Sequence, residues 1–170
     1  MNKKEPLEVV NENGEVIGIA PRSVIHGNPA LLHRVVHVLV FDNAGRLLLQ
    51  KRSMKKDVAP GKWDTSVGGH VEPGEELLPA AMREMEEELG IVECEPVYLY
   101  SYIHRNSIES ELVTTYRCTF DGNINALPFN KEEIDEILFW SADEVEKAIG
   151  GGLLSNNFED EFQRYLETKK

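Results

Sequence analysis

From position 77 to 89 apolar residues return at helical spacing, with Leu78, Ala81, Met82, Met85 and Leu89 forming a stripe that must face a core. At about 100° per residue, Glu84, Glu87 and Glu88 fall together on a flank away from that stripe, and Glu86 lands on the opposite side. Gly68, Gly69, Pro73 and Gly74 write a tight loop ahead of this helix. Pro79 is tolerated because it sits in the first turn, and Gly90 is a natural stop. Elsewhere the pattern is that of strands. RVVHVLVFD at 34–42 is nearly continuous and β-branched, as for a strand buried on both faces, and DNAG turns it into a partner at 46–52. Residues 7–11 and 15–20 flank the turn signal NENG and predict a hairpin ahead of the core sheet. Lys55, Lys56, Pro60 and Gly61 mark a loop that leads through Lys62 and Trp63 to a short strand at Ser66 and Val67. Further strands are expected at 97–103, 112–120 and 134–140, with a loop at 121–130. A short helix at 143–149 is stopped by the glycines at 150–152, and an amphipathic helix at 158–166 packs down Phe158, Phe162 and Tyr165 or Leu166.

A length of 170 residues suits one domain, 1–170, with 1–30 as the hairpin extension, and is enough to bury a sizeable core. The net charge of −12 argues against a nucleic-acid polymer as partner, because such proteins present a basic face that releases counterions. No apolar run reaches membrane-spanning length, and the opening MNKKEPLEVVNENGE lacks the hydrophobic segment of a secretory signal. A cytoplasmic protein with no membrane partner is expected. Cys94 and Cys118 form no CxxC pair, so free thiols are expected rather than a disulfide framework or a zinc site.

Three carboxylates on one helix flank repel by a few tenths of a kcal/mol per pair. The plain alternative is a solvated acidic face. A hard divalent cation would remove the repulsion, since magnesium and manganese prefer carboxylate oxygens and keep coordination positions free for phosphates. The surrounding residues favour the cation. Gly69, Glu75, Arg83, Glu84, Met85, Glu87, Glu88, Gly90 and Ile91 meet, without a gap, the spacing G, five residues, E, seven residues, R-E-apolar-x-E-E-x-G-apolar. In this box, 69–91, the chain resembles the Nudix hydrolase superfamily. The resemblance implies an α/β fold, the Nudix α/β/α sandwich with a mixed sheet. It implies Mg2+, or Mn2+, on Glu84, Glu87 and Glu88, and cleavage of a small-molecule diphosphate substrate, here taken as a nucleoside diphosphate derivative. It gives Arg83 a structural role beside the box carboxylates and makes Glu75 a loop-fixing or outer metal residue.

The front half is also similar to isopentenyl-diphosphate isomerase, which shares that scaffold but moves a double bond. The similarity lies in HGNPALLHRVVHVLVFDNAGRLLLQKR and PGKWDTSVGGH and extends to about Trp140. It implies metal-binding roles for His26, His33 and His70 and an acidic ligand at Glu133; the bland reading of each histidine is a hydrogen-bonded structural residue, and His104 is expected to be exposed. Two departures oppose isomerase activity. Gly68 stands where the isomerase needs a cysteine acid/base, and Lys131 stands at its other acidic ligand. A glycine cannot shuttle a proton.

The chemistry expected is therefore attack of a metal-activated water on a diphosphate. General-base candidates are Glu87 and Glu88 in the box and Glu133, ahead of Glu136, from the later strand. Arg52, Lys62 and Gly69 are substrate-binding candidates, because arginine forks onto phosphate oxygens and lysine acts as a point charge. Trp63 offers a stacking surface for a base, with core packing as the stronger alternative. An isomerase and a non-catalytic diphosphate-binding module are the competing functions, and the extra hairpin makes a homodimer a further expectation.

Overall fold

The computed structural model describes residues 4–170. Strands β1 (Pro6–Val10) and β2 (Val16–Pro21) form the expected hairpin, whose turn is closed by the Asn11 side chain accepting from the N–H groups of Asn13 and Glu15. A short helix that the apolar pattern does not announce, α1 (Arg22–Ile25), follows and buries Ile25 against Leu7 and Val9.

The sheet is assembled on β3 (Leu32–Phe41). One edge of β3 pairs in parallel along its whole length with β8 (Ser110–Thr119), from Leu32 opposite Ser110 to Phe41 opposite Thr119. The other edge is shared in succession by β1, β6 (Val67–His70) and β4 (Leu47–Arg52), all antiparallel. Strand β7 (Val97–Arg105) lies outside β8, while β5 (Trp63–Asp64) and β9 (Ile134–Trp140) flank β4, completing a mixed sheet of nine strands. Strands β3 and β4 touch only at Phe41 and Leu47. Where they diverge, Ser66 Oγ accepts the Val40 N–H at 3.0 Å and donates to the Leu48 carbonyl, satisfying backbone groups that the ladder leaves open.

Because successive strand residues face opposite sides, β3 serves two apolar layers. Val36, Val38 and Val40 meet Ala81, Met85 and Leu89 of helix α2 (Leu77–Leu89). Leu39 and Phe41 meet Val145 of α3 (Ala142–Ala148) and Phe158, Phe162 and Tyr165 of α4 (Asn156–Glu167) on the other side, giving the α/β/α sandwich. Helix α2 is rotated from the orientation its stripe predicts: Ala80 and Glu88 are buried and Met82 is 43% exposed, since the two alanines let the helix approach the sheet closely. Trp63 is in the core, its ring 5.4 Å from that of Trp140, and offers no stacking face. No helix among the described residues is long and apolar enough to cross a membrane.

Helix α4 also carries a buried carboxylate. Glu161 is fully buried and accepts from His37 Nδ1 at 3.0 Å, Tyr100 OH at 2.7 Å and Thr115 Oγ1 at 2.9 Å, tying α4 to β3, β7 and β8. Burial opposes the His37 charge, but Glu161 outweighs it and raises the imidazole above 6.5. Burial likewise opposes the Glu161 charge, but the His37 bond outweighs it and holds the carboxyl below 4.5. His37 thus contributes stability that is fully present below pH 6.5 and lost as pH rises through its raised value. Glu161 contributes stability that is present above pH 4.5 and lost as pH falls through its lowered value. Removing one partner of a buried ion pair costs about 3 kcal/mol, so Glu161→Gln should lower Tm by roughly 10 °C. In melts across pH, the gap between the two proteins should be widest from 4.5 to 6.5 and narrow on both sides; a gap indifferent to pH would mean that the pair is not ionised.

Candidate functional site

The loop into α2 is held from three directions. Gly74 takes a φ of 76°, a left-handed turn that suits glycine. Its N–H donates to Glu8 of β1 at 2.8 Å, and the Glu72 N–H donates to the Glu75 carboxylate at 3.0 Å. Glu8 also receives Arg34 Nη2 at 2.5 Å, so the N-terminal hairpin is part of the frame. At the far end Gly90, φ 71°, reverses α2 with its N–H on the Glu86 carbonyl.

Arg83 organises the acids of the box. Its Nε and Nη2 fork onto Glu75 at 2.8 and 2.9 Å, Nη1 reaches Glu84 at 2.8 Å and Glu87 at 3.1 Å, and Nη2 also donates to the His70 carbonyl at 3.0 Å. Hydrogen bonding from Arg83 holds Glu75 below the usual carboxylate range. Glu84 lies flat against strand β6. A Cβ built on Gly69 would fall 2.1 Å from the Glu84 carboxyl carbon, so only a glycine leaves room for it. Glu88 is buried and accepts from Gln50 Nε2 at 2.8 Å and from the Gly68 N–H at 3.1 Å. Burial pushes Glu84 up to about 7 against the pull of Arg83; burial and then the charge of Glu84 push Glu88 well above its ordinary value. Glu87 stands at the rim, its side chain 56% exposed and turned to Arg83. An oxygen-only donor pair against strand β6 suits a hard divalent cation, which would offset the charge of half-buried Glu84 and buried Glu88 together.

On the opposite face of β6 lies a second cluster. The ligating atoms of His26, His33 and His70 lie within 4.8 Å of one another, the one such trio of metal-capable side chains among the described residues. His26 Nε2 is 3.2 Å from His70 Nε2 and 3.4 Å from Glu109. His33 is buried with neither ring nitrogen in a hydrogen bond of good geometry. Burial lowers His33 to about 4 and, with His33 beside it, lowers His70 to about 2, so both rings are neutral and present lone pairs. Glu111, opposite His33 in the sheet, is buried too, and burial followed by Glu109 raises it to about 8. Three imidazoles with carboxylates beside them fit a divalent transition metal.

A cavity of about 590 Å³ opens beside His26, lined also by Arg22, Ser23, Lys55, Lys56 and Glu133. Glu133 pairs with Lys56 at 3.5 Å, and the segment that carries it is pinned to α2 by the Asn130 N–H on the Glu88 carbonyl at 2.9 Å. Of the residues predicted for substrate, Gly69 is at the glutamates, whereas Arg52 donates to the Val58 carbonyl at 2.8 Å and pairs with Asp64, and Lys62 donates to the Gly152 carbonyl. The cations on the cavity wall are instead Arg22, Lys55 and Lys56. The carboxylate in contact with the histidines is Glu109, with Glu111 opposite His33 in the sheet, and Glu133 shares the cavity wall with His26. The signal was present in SIESEL, where acids two apart share one face of a strand. Gln50 was equally legible as the polar residue in an otherwise apolar LLL run. His104 is partly buried, 3.1 Å from Asp160, rather than exposed.

Comparison with known proteins places these features in context. A family model described as the NUDIX domain matches residues 31–158. Isopentenyl-diphosphate Delta-isomerase of Streptomyces griseus is 47% identical over 85 residues, 50% of this chain and 43% of that protein. A Nudix hydrolase of Escherichia coli, YfcD, is 44% identical over 87 residues, 51% of this chain and 48% of that protein. The chain spans about half the length of these curated relatives. The crystal structure of DR0079 from Deinococcus radiodurans matches with a TM-score of 0.79 and 25% identity, over 94% of this chain and 98% of that one.

The close approach of Glu84 to strand β6 can be tested directly. Gly69→Ala should cost about 1–3 kcal/mol in chemical denaturation, the range for overpacking a filled site. An unchanged midpoint would show that the Glu84 carboxyl does not rest on that backbone.

Proposed function

Since this chain belongs to the Nudix family, we propose that it is a hydrolase that uses Mg2+, or Mn2+, to cleave a diphosphate bond in a nucleoside diphosphate derivative. The observation that carries this reading is the packing of half-buried Glu84 on Gly69 beside buried Glu88, with Arg83 bracing the acids around them. Glu84 and Glu88 would hold the ion and Glu87 would complete the set. A bound divalent cation supplies positive charge to the diphosphate oxygens and makes water a better nucleophile. Gln50 and the Gly68 N–H orient Glu88, and Arg83 keeps the loop acid Glu75 from drifting. Arg22, Lys55 and Lys56 suit the phosphates, in a cavity of small-molecule size. Its wall residue Glu133 sits on the segment that the Asn130 N–H pins to the Glu88 carbonyl, so that the cavity adjoins the glutamates as well as His26. Glu133, on the wall of that cavity, is the base to which we assign the proton of the attacking water. Glu88 is already committed to two donors and Glu87 to Arg83 at 3.1 Å, whereas the Lys56 contact of Glu133 is longer, at 3.5 Å.

The histidine cluster and the 47% identical stretch favour isomerase chemistry as the second reading. Gly68 opposes it, because no side chain stands there to protonate carbon. Reaction in heavy-oxygen water with a panel of diphosphates separates the two. Label in a phosphate product is expected; deuterium uptake into an isoprenoid diphosphate without phosphate release would favour the isomerase. Glu87→Gln and Glu88→Gln should each lower kcat about a hundredfold or more while leaving the melting profile near that of the parent. Wild-type turnover in both would remove the metal site from the mechanism.

For the histidines, we propose a second divalent ion, held by His26, His33 and His70. His33→Ala should lower the tightly bound transition metal measured by elemental analysis by about one equivalent and leave magnesium-dependent hydrolysis measurable. Unchanged metal content would assign the cluster to packing alone.

A further inference from the structure

Away from both clusters, the chain's two cysteines meet. Cys118, on β8, is 5% exposed in the apolar layer under α2, and Cys94, in the segment between α2 and β7, packs against that same layer. The Cys94 thiol donates to the carbonyl of Thr119, the residue next to Cys118, at 2.8 Å, and both cysteines border the same apolar layer. Residues 24 apart in sequence are thus side by side through the β7–β8 hairpin. Their exposure differs. Cys94 lines a small surface groove with Met82, Arg83, Ile91 and Val92, whereas Cys118 is covered.

We propose that Cys94 and Cys118 form an oxidation site, closing to a disulfide within one chain when the protein meets a peroxide. The exposed sulfur reacts first. Cys94 attacks one peroxide oxygen, the O–O bond breaks, and a sulfenic acid and one water result. The Cys118 sulfur then attacks the sulfenic sulfur, the S–S bond forms, and the hydroxyl leaves as a second water with the Cys118 proton. Two thiols are oxidised by two electrons and one peroxide is reduced to two waters. Burial, and then Cys94 itself, keeps the proton on Cys118, so it is not the thiol that meets the peroxide first. The bond replaces the hydrogen bond to Thr119 and ties the segment after α2 to β8, beside the helix end that carries Glu87 and Glu88.

The test treats native protein with hydrogen peroxide, blocks remaining thiols with N-ethylmaleimide, and reads peptides by mass spectrometry without reductant. Expected is a linked Cys94–Cys118 peptide, lighter by two hydrogens than its parts and reopened by dithiothreitol, forming about tenfold faster in folded protein than in urea. In Cys118→Ala, Cys94 should climb to the sulfinic acid, and in Cys94→Ser, Cys118 should stay reduced. Two results would overturn the proposal: Cys94 reaching sulfinic acid or linking between chains while Cys118 stays a thiol, or a linked peptide forming no faster in the folded protein than in urea.

Discussion

Everything in this structure depends on how closely α2 lies against strand β6. The helix must bring carboxylates to the sheet end without a counter-ion built into the core, and it does so by letting Glu84 rest on a residue that has no side chain. Ala80 and Ala81 set the separation, Gly69 admits the carboxyl, and Arg83 brackets the acids from the solvent side. Each of these is small, absent or planar for the same reason. A larger residue would push the acids into water, where crowding them would be cheap and also useless.

The frame around that contact is spread widely over the chain. Glu8 of the first hairpin reaches both Gly74 and Arg34, and Asn130 pins the segment leading into β9 to the Glu88 backbone. The front hairpin is therefore structural support for the box loop and not a detachable ornament. Strand β3, paired on one edge with β8 and on the other with three strands in turn, transmits these ties to both faces of the sheet.

Much of this was legible in the residues, and the parts that were not share a cause. The box helix, the buried run at 34–42 and the closing helix announce themselves because burial imposes a period on local sequence. Fixed offsets along one helix put the three glutamates on a shared flank, and the bracing role of Arg83 is what the family resemblance of those offsets implies. What could not be read was which side chains meet across strands. Arg52 and Lys62 have the charge for phosphate but turn to backbone carbonyls of neighbouring loops, while Arg22 and Lys56 reach the cavity from segments far apart in sequence. Glu109 and Glu111 are not legible as partners of the histidines because those come from three separate elements, brought together through the register of β3 with β8 and with β6. Met82 was misassigned because the helical stripe is wider than the face the sheet can cover.

The short strand β6 also explains why the two clusters can coexist. Its residues alternate, so Gly69 turns to the glutamates while Gly68 and His70 face the histidines, and the wall between two polar centres is a single backbone. The Gly68 N–H is given to Glu88 on one side, and on the other a Cβ at position 68 would come within 3.1 Å of the His37 ring. That ring cannot easily withdraw, because Nδ1 is held by Glu161 under α4. A reactive side chain at position 68 and the His37–Glu161 pair therefore compete for one volume. In this chain the pair fills much of it, so a side chain at position 68 is seated only if the His37 ring gives way by a few tenths of an ångström against its bond to Glu161.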